Sequence, residues 1–397
     1  MGFASGAINY RRYAVIGPDN PELPSEELLK KLDELALRPG ELGVPEPTEW
    51  GWSGGRHVLD ANFSFAHNVF ADCLYFALRI DTNKVPGEIK KAYQIMEEDA
   101  AAKGNPSGFI SKKQKKDVKD TVSKKVDEEL RSGRFRRSKL LLALWDLPSH
   151  TLYCAASNSD QEKLLDLFER SFSLTLQLLS SGSVALRQLE GAGKRRTYED
   201  LKPSRFVTGP AGEGQTADYP WVAKSSEKND FLGNEFLLWL WHEADNRTGI
   251  IPTADGDVTV MFDKSLDLDC AFGESGKDSL RGAGPTRMPE ALDALRSGKV
   301  PRKAGLIMDA HSQQFTLSLN PELFQIGGLQ LPNIEQADTP RTFFEERIDL
   351  VRDFVKSLDA LYDAFLKIRT GGTWETQVKT IRQWISTAGT ARKQAAA

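Results

Sequence analysis

Over residues 112–130 the apolar side chains are Val118, Val122, Val126 and Leu130, each four positions beyond the last. A helix with so narrow a stripe can zip against one partner helix but has too little apolar surface to be buried inside a domain. The partner lies just upstream. After Pro86, a residue suited to a helix start, Ile89, Ala92, Tyr93, Met96 and Ala100 recur at helical spacing. A Gly, Asn, Pro and Ser cluster over 103–108 separates the two patterns. Together they predict a two-helix arm over 86–137, reaching roughly 30 Å at about 1.5 Å per residue for twenty residues.

The flanking sequence supplies a support for this arm. Cys73-Leu74-Tyr75-Phe76-Ala77-Leu78-Arg79-Ile80 reads as a strand entering it. Leu140-Leu141-Leu142-Ala143-Leu144-Trp145-Asp146 and Thr151-Leu152-Tyr153-Cys154-Ala155 leave it, split by Leu147-Pro148-Ser149-His150, which is a hairpin signal.

Charge sets the arm apart. Residues 111–139 hold twelve cations, Lys112, Lys113, Lys115, Lys116, Lys119, Lys124, Lys125, Arg131, Arg134, Arg136, Arg137 and Lys139, against five acids, a net +7. The whole chain is −4, so everything outside this segment sums to −11. A cationic projection on an anionic body is the electrostatic footprint of a polyanion-binding surface. The same run also fits a solvated helix face whose Lys and Asp pair at i, i+4.

At 397 residues, with 40% hydrophobic and 27% charged, the chain is long enough for two or three globular domains. No apolar run is long enough for a membrane helix, and the first ten residues lack signal-peptide and myristoylation patterns. Cys73, Cys154 and Cys270, odd in number and inside strand-like runs, are expected as reduced core thiols in a cytoplasmic protein.

The remaining chain reads as α+β, with antiparallel sheets and flanking helices. A strand over 8–16 leads to a helix capped by Ser25, then a Pro/Gly loop over 39–55 containing Trp50 and Trp52. Two tryptophans in a loop suit either base stacking or the plugging of a core edge. Residues 159–179 predict one amphipathic helix, and 191–214 the likeliest linker. Residues 231–241 predict a helix apolar all round, ending at a structural His242. Paired strands over 257–262 and 266–272, a helix over 289–296, a hairpin over 303–319 and a long helix over 340–368 follow, with a last helical pattern from 373. The organisation expected is a first α+β half (1–85 and 138–181), the arm, a linker or insertion (182–227), a second α+β half (228–370) and a C-terminal extension (371–397). Each half closes with a hairpin and then a helix, a pattern compatible with a degenerate internal duplication.

Signatures of catalysis are sparse. There is no phosphate-binding Gly-rich loop, dinucleotide fingerprint, His-Glu-x-x-His or Gly-x-Ser-x-Gly, and no two of the five histidines stand at metal-ligand spacing. Asp255, Asp257, Asp263, Asp267 and Asp269 form the one arguable constellation, which on a sheet edge would hold Mg²⁺ for a nuclease. Asp255-Gly256 is also a turn signal, and Asp267 and Asp269 alternate with Leu266 and Leu268 as outward strand positions. The structural reading of these aspartates is preferred, and no cofactor or metal is expected.

Four passages together resemble the RdgC-like recombination-associated proteins of bacteria. Ala77-Leu78-Arg79-Ile80-Asp81-Thr82-Asn83-Lys84-Val85-Pro86 is similar to that family's strand leading into the first arm helix. Lys112-Lys113-Gln114-Lys115-Lys116-Asp117-Val118-Lys119-Asp120 is similar to its Lys-rich second helix, with Phe135 following. The hairpin over 140–156 with the helix after it, and Glu290-Ala291-Leu292-Asp293-Ala294-Leu295-Arg296-Ser297-Gly298-Lys299-Val300 with the strand to Asp309, match in order. The likeness is strongest over 70–180. Residues 182–256 and those after 370 have little counterpart, and Gly282-Ala283-Gly284-Pro285-Thr286-Arg287 stands where the family is Lys-rich.

The resemblance implies a ring-shaped homodimer around duplex DNA, Phe135 at a subunit contact, nucleoid association and restraint of a RecA-type recombinase. The expectation is therefore a non-catalytic, sequence-nonspecific DNA-binding protein whose contacts are the twelve cations named above. Its partners would be DNA, a second copy of itself and, indirectly, the recombinase, with no membrane. A Mg²⁺-dependent nuclease and a protein-interaction scaffold are the competing readings.

Overall fold

Strand β1 (Ile8–Ile16) is buried along both faces, and the chain folds around it. In the computed structural model, residues 2–395 are described except 39–46, 104, 106–108, 208, 210–211, 213–216, 223–224, 226, 274–275 and 336, with backbone alone over 388–395. The start of β1 contributes Ile8, Tyr10 and Ala14 to the larger of two apolar cores, while Tyr13 and Val15 enter the smaller one. Alternation along a strand produces this division, since successive side chains point to opposite faces.

The smaller core belongs to the first half. Ser25 caps α1 (Glu26–Glu34) by accepting from Leu28 N, and α1 buries Leu28, Leu29 and Leu32. Next come β2 (Thr48–Ser53), the short α2 (Phe65–Asn68), β3 (Val69–Phe70) and β4 (Cys73–Asn83). The arm helices α3 (Gly87–Lys103) and α4 (Lys112–Ser132) intervene before β5 (Arg136–Asp146) and β6 (Thr151–Cys154). Helix α5 (Asn158–Phe172) and β7 (Thr175–Leu178) close this half. Strands β4 and β5 pair along their full length, from Cys73 opposite Asp146 to Asn83 opposite Arg136, so the arm grows from the end of this ladder.

The second half begins with α6 (Ser181–Gly191) and α7 (Arg195–Glu199), then the buried α8 (Phe231–Asn246), whose Phe231 to Glu243 are all buried. Strands β8 (Ile250–Thr253), β9 (Gly256–Cys270) and β10 (Lys277–Arg281) precede α9 (Pro289–Arg296). Strands β11 (Lys299–Ala310), β12 (Gln313–Asn320) and β13 (Gln325–Gln330) complete the sheet. His311 and Ser312, with φ of 51° and 62°, make the β11–β12 turn the two-residue kind that matches strand twist. Helix α10 (Pro340–Arg369), capped by Thr339, and α11 (Trp374–Ala395) follow.

All named strand pairs are antiparallel, and they form one 13-stranded sheet in the order β10-β9-β11-β12-β13-β1-β6-β5-β4-β2, with β3, β7 and β8 attached at the side. The α+β reading of the sequence holds. Strand β1 joins the half-sheets, pairing with β13 near its start and with β6 and β7 further on. Helix α10 spans both halves on one face: Phe344 packs on Phe70 and Tyr75 of the first half, and Tyr362 on Phe236 and Phe324 of the second. The three cysteines are free and buried.

Four local readings are corrected. Residues 48–53 are not loop but strand β2, paired with β4 from Thr48 opposite Thr82 to Ser53 opposite Ala77. The glycine that reads as a loop signal is there for close approach: a Cβ on Gly51 would lie 2.8 Å from Leu35 O. The remainder of that expected loop over 39–46 lies outside the described residues, as does most of the 103–108 break. The helix expected over 159–179 stops at Phe172. Ser173 turns left-handed (φ 57°), and Thr175–Leu178 pairs with β1 instead.

Residues 257–262 and 266–272 do not pair with one another. They belong largely to one strand, β9, bent at Lys264 (φ 64°), and β11 runs alongside it. Finally, the segment 182–227, expected as a linker or insertion, carries α6 and α7 and gives Val184, Ala185, Leu189, Tyr198, Phe206 and Tyr219 to the larger core. Short apolar stretches between glycines look dispensable in sequence, yet here they cover one end of the sheet.

Candidate nucleic-acid interface

The arm is built from local signals. Pro86 O accepts from Ile89 N and Lys90 N at 3.1 and 3.2 Å, starting α3. Ser111 and Gln114 form a reciprocal capping box at the head of α4, Gln114 N donating to Ser111 Oγ at 3.3 Å and Ser111 N to Gln114 Oε1 at 2.9 Å. Gly133, at φ 67°, ends α4 in the left-handed conformation that glycine adopts without a Cβ penalty. Asn83 Nδ2 donates to Leu130 O at 2.8 Å, fastening the end of α4 to the end of β4.

Between the two helices the contact is thin, as the stripe predicts. Val118 is the only α4 residue that is buried, and α3 has none. Of the α3 positions at helical spacing, Ile89 and Tyr93 are half-buried, whereas Ala92, Met96 and Ala100 are exposed. Polar links do the rest: Tyr93 Oη donates to Glu129 Oε1 and Lys125 Nζ to Glu97 Oε1, each at 2.5 Å. The hydrogen bond to Glu129 raises the Tyr93 hydroxyl, and that to Glu97 raises the Lys125 ammonium.

The twelve cations divide into two groups. Four are committed within the chain. Lys125 is held by Glu97, and Arg134 lies 3.5 Å from Glu129. Arg136 reaches Asp81 at 2.8 Å and Glu49 at 2.9 Å, and Lys139 reaches Asp160 at 2.6 Å. Burial pushes the Asp160 carboxyl up, but its bonds from Lys139 and Ser157 outweigh this and hold it below its ordinary value.

The other eight, Lys112, Lys113, Lys115, Lys116, Lys119, Lys124, Arg131 and Arg137, are exposed, and among the described residues none has a carboxylate within ion-pair distance. No i, i+4 Lys–Asp pair forms along α4 among the described residues, so its exposed face is solvated without the expected pairing.

Five of these lysines crowd the first eight residues of α4, at the distal end of the arm, and its first turn has no acid. Helix dipoles favour anions at an N-terminus, so cations there are placed against the local field, at a cost of some tenths of a kcal/mol each. An external polyanion over that turn would relieve both the dipole and the mutual repulsion of the ammonium groups.

Phe135, given to a subunit contact by the resemblance, lies at the root of the arm, half-buried, with the Arg134 guanidinium 5.7 Å from its ring centroid. Exposed apolar surface sits further out, on Ile95 (49%), Met96 (60%) and Phe109 (80%). Sequence reasoning missed Ile95 and Phe109, although an apolar residue off the helical stripe and another beside a Gly/Pro break were the available signals. Trp52 is fully buried, whereas Trp50 is 37% exposed with Lys163 Nζ 5.9 Å from its ring. Strand register places Trp50 opposite Ile80 and Ile80 opposite Lys139, on the same stretch of sheet as the arm root.

The aspartates over 255–269 do not gather. Asp255 accepts from His311 Nε2 at 2.8 Å and Lys356 Nζ at 2.5 Å, bonds that hold it below its ordinary value. Asp267 is taken by Arg281 at 2.7 Å, and Asp269 by Lys277 and Arg302 at 3.2 and 3.1 Å. Among the described residues no three His, Cys, Asp or Glu side chains converge as a metal site would require. Nor is any described helix long and apolar enough to cross a membrane.

Compared with protein-family models and with curated proteins, the chain matches none of either.

Proposed function

We propose that the arm is a sequence-nonspecific DNA-binding element, and that the protein acts without catalysis by occupying DNA, in the manner of the RdgC-like proteins it resembles. The observation that carries this reading is the group of eight arm cations with no counter-charge among the described residues, five of them within the first eight residues of α4. Phosphate backbones are recognised by such clusters through counterion release, which needs no base-reading element. Lys139, Arg134, Arg136 and Lys125 are better assigned to holding the arm than to touching DNA. The exposed Ile95, Met96 and Phe109 support a self-contact between arms of two copies, as a ring-shaped homodimer would use. Occupied DNA would be less accessible to a RecA-type recombinase, and a protein bound in this way would be nucleoid-associated.

The test is retention of unrelated duplexes across a salt series. Affinity should be similar for all sequences and fall steeply with salt, each phosphate contact adding about −0.9 to the logarithmic slope. Reversing Lys112, Lys113, Lys115 and Lys116 to Glu should flatten that slope by about three or more if each contacts a phosphate. An unchanged slope removes the arm from the interface. Cleavage of labelled DNA in Mg²⁺, abolished by Asp257→Ala, would replace this reading with the nuclease.

A further inference from the structure

A cavity of about 640 Å³ opens where the two half-sheets meet on β1. Arg11 of β1 and the head of α5 form one wall; Trp221, Arg302 and the β12–β13 turn form the other. Arg11 is only 7% exposed, yet among the described residues its guanidinium has no carboxylate partner. Its hydrogen bonds go to neutral amides, from Nη1 to Asn158 Oδ1 at 2.7 Å and from Nε and Nη2 to Gln325 Oε1 at 3.3 and 3.0 Å. Its neighbour Arg12, on the opposite face of the strand, shows the ordinary solution, forking onto Asp359 with two bonds of 2.7 Å. An enclosed guanidinium without counter-charge is destabilising and is kept where something outside the chain supplies the charge.

Among the described residues, the other cations of the wall are already matched. Arg302 forks onto Glu322 at 2.7 and 2.9 Å and reaches Asp269 at 3.1 Å, and Lys277 also reaches Asp269. Asp230 accepts from Gly182 N at 2.9 Å and from Ser225 Oγ. Asp230 thus has neutral partners only, as Arg11 has, and the described lining holds three cations and three carboxylates; Arg11 is the one cation left to meet a single anionic group, and the carboxylates repel a second charge. A phosphate ester or a nucleic-acid strand carries too much charge for it. Leu178, Pro220, Val222 and Leu323 supply apolar lining beside Gln161, with Trp221 carrying the Arg302 guanidinium 4.4 Å from its ring.

We propose that this cavity binds a small monocarboxylate with an apolar body, the carboxylate forked by Arg11 and the body lying along Trp221. The volume falls within the range of small-molecule sites, and a planar carboxylate matches the fixed fork of arginine. The site is independent of the arm, so either proposal can fail alone.

The test is thermal denaturation and titration calorimetry of the full chain with 3-phenylpropionate, its uncharged amide, and inorganic phosphate. In the parent protein the acid should raise Tm at millimolar concentration, and the amide and phosphate should not. Arg11→Met should have an unliganded Tm equal to or above the parent, and bind the acid at least about tenfold more weakly, the worth of one charge-assisted hydrogen bond. Trp221→Leu keeps the cation and should weaken 3-phenylpropionate more than acetate. Retention of DNA should be unchanged in Arg11→Met. The proposal is overturned if the acid does not stabilise the parent, if the amide matches it, or if Arg11→Met binds the acid as tightly as the parent. Should Arg11→Met fail to fold, Trp221→Leu decides: equal losses for 3-phenylpropionate and acetate, or none, overturn it as well.

Discussion

Arg136 of β5 donates from Nε and Nη2 to a single oxygen, Oδ2, of Asp81 on β4, at 3.1 and 2.8 Å. Arg79 donates to both oxygens of the same carboxylate, at 3.0 and 2.6 Å, so Asp81 is gripped from its own strand and from the next. The last rungs of the β4–β5 ladder, from which the arm departs, are thereby fixed.

Replacing Asp81 with Asn should therefore cost about 3 kcal/mol in urea unfolding, because it strands the buried Arg79 guanidinium. The effect should depend on acid. Burial pushes Asp81 up, but hydrogen bonds from Arg79, Ser138 and Arg136 win and hold it below the usual carboxylate value. A depressed carboxyl stabilises the fold fully above its unfolded pKa of about 4 and loses that contribution as pH falls toward the folded value. Parent and Asp81→Asn stabilities should converge below about pH 4.

The α4 lysines should separate binding from stability. Changing Lys112, Lys113, Lys115 and Lys116 to Ala removes unpaired like charges from a helix start, so Tm should stay level or rise while DNA retention falls. Changing Lys139 to Ala breaks its pair with Asp160 and should lower Tm while leaving the salt slope of DNA binding unaltered. The reverse pattern would show that the root, and not the distal half of the arm, meets the nucleic acid.

The two tryptophans of β2 should behave differently. Trp52→Ala empties a fully buried site against Phe76 and should cost about 3–5 kcal/mol. Trp50→Ala should cost distinctly less, about 1–2 kcal/mol, since the ring is already 37% exposed. If bases stack there, its effect appears in single-strand affinity, read by fluorescence quenching of the remaining tryptophans.

Asp230 predicts a second pH dependence, of opposite sign. Burial raises it to about 6, against hydrogen bonds from Ser180, Ser225 and the Gly182 amide. A raised carboxyl favours folding below its unfolded pKa, and that contribution is lost as pH rises through the folded value. Stability should decline by about 3 kcal/mol between pH 4 and somewhat above 6 from this group. Asp230→Asn should flatten that decline and be the more stable protein at pH 7, measured by urea midpoints across the range.

What could be read from the residues alone follows the range of the interactions involved. The limits of α3 and α4 are set by Pro86, Ser111, Gln114 and Gly133, all within a few positions of the helix ends, and they were legible. The division of the twelve cations was not. Lys125 is committed by Glu97, Lys139 by Asp160 and Arg136 by Asp81, partners 28, 21 and 55 residues away. Leu174 and Leu176 fit the spacing of a helix as well as that of a strand, and only the free edge of β1 decides for the strand. Arg11 looked like any polar strand residue, because the cavity it lines is assembled from segments scattered over more than three hundred positions.

Strand β1 bears on how the molecule is made. Asn9 Oδ1 accepts from Gly328 N, a partner 319 residues later in the chain. On a ribosome adding about 5–20 residues each second, β1 would wait many seconds for β13 with half its hydrogen-bonding edge open. During that interval the nascent chain holds an apolar, unpaired edge, the kind of surface that chaperones shield.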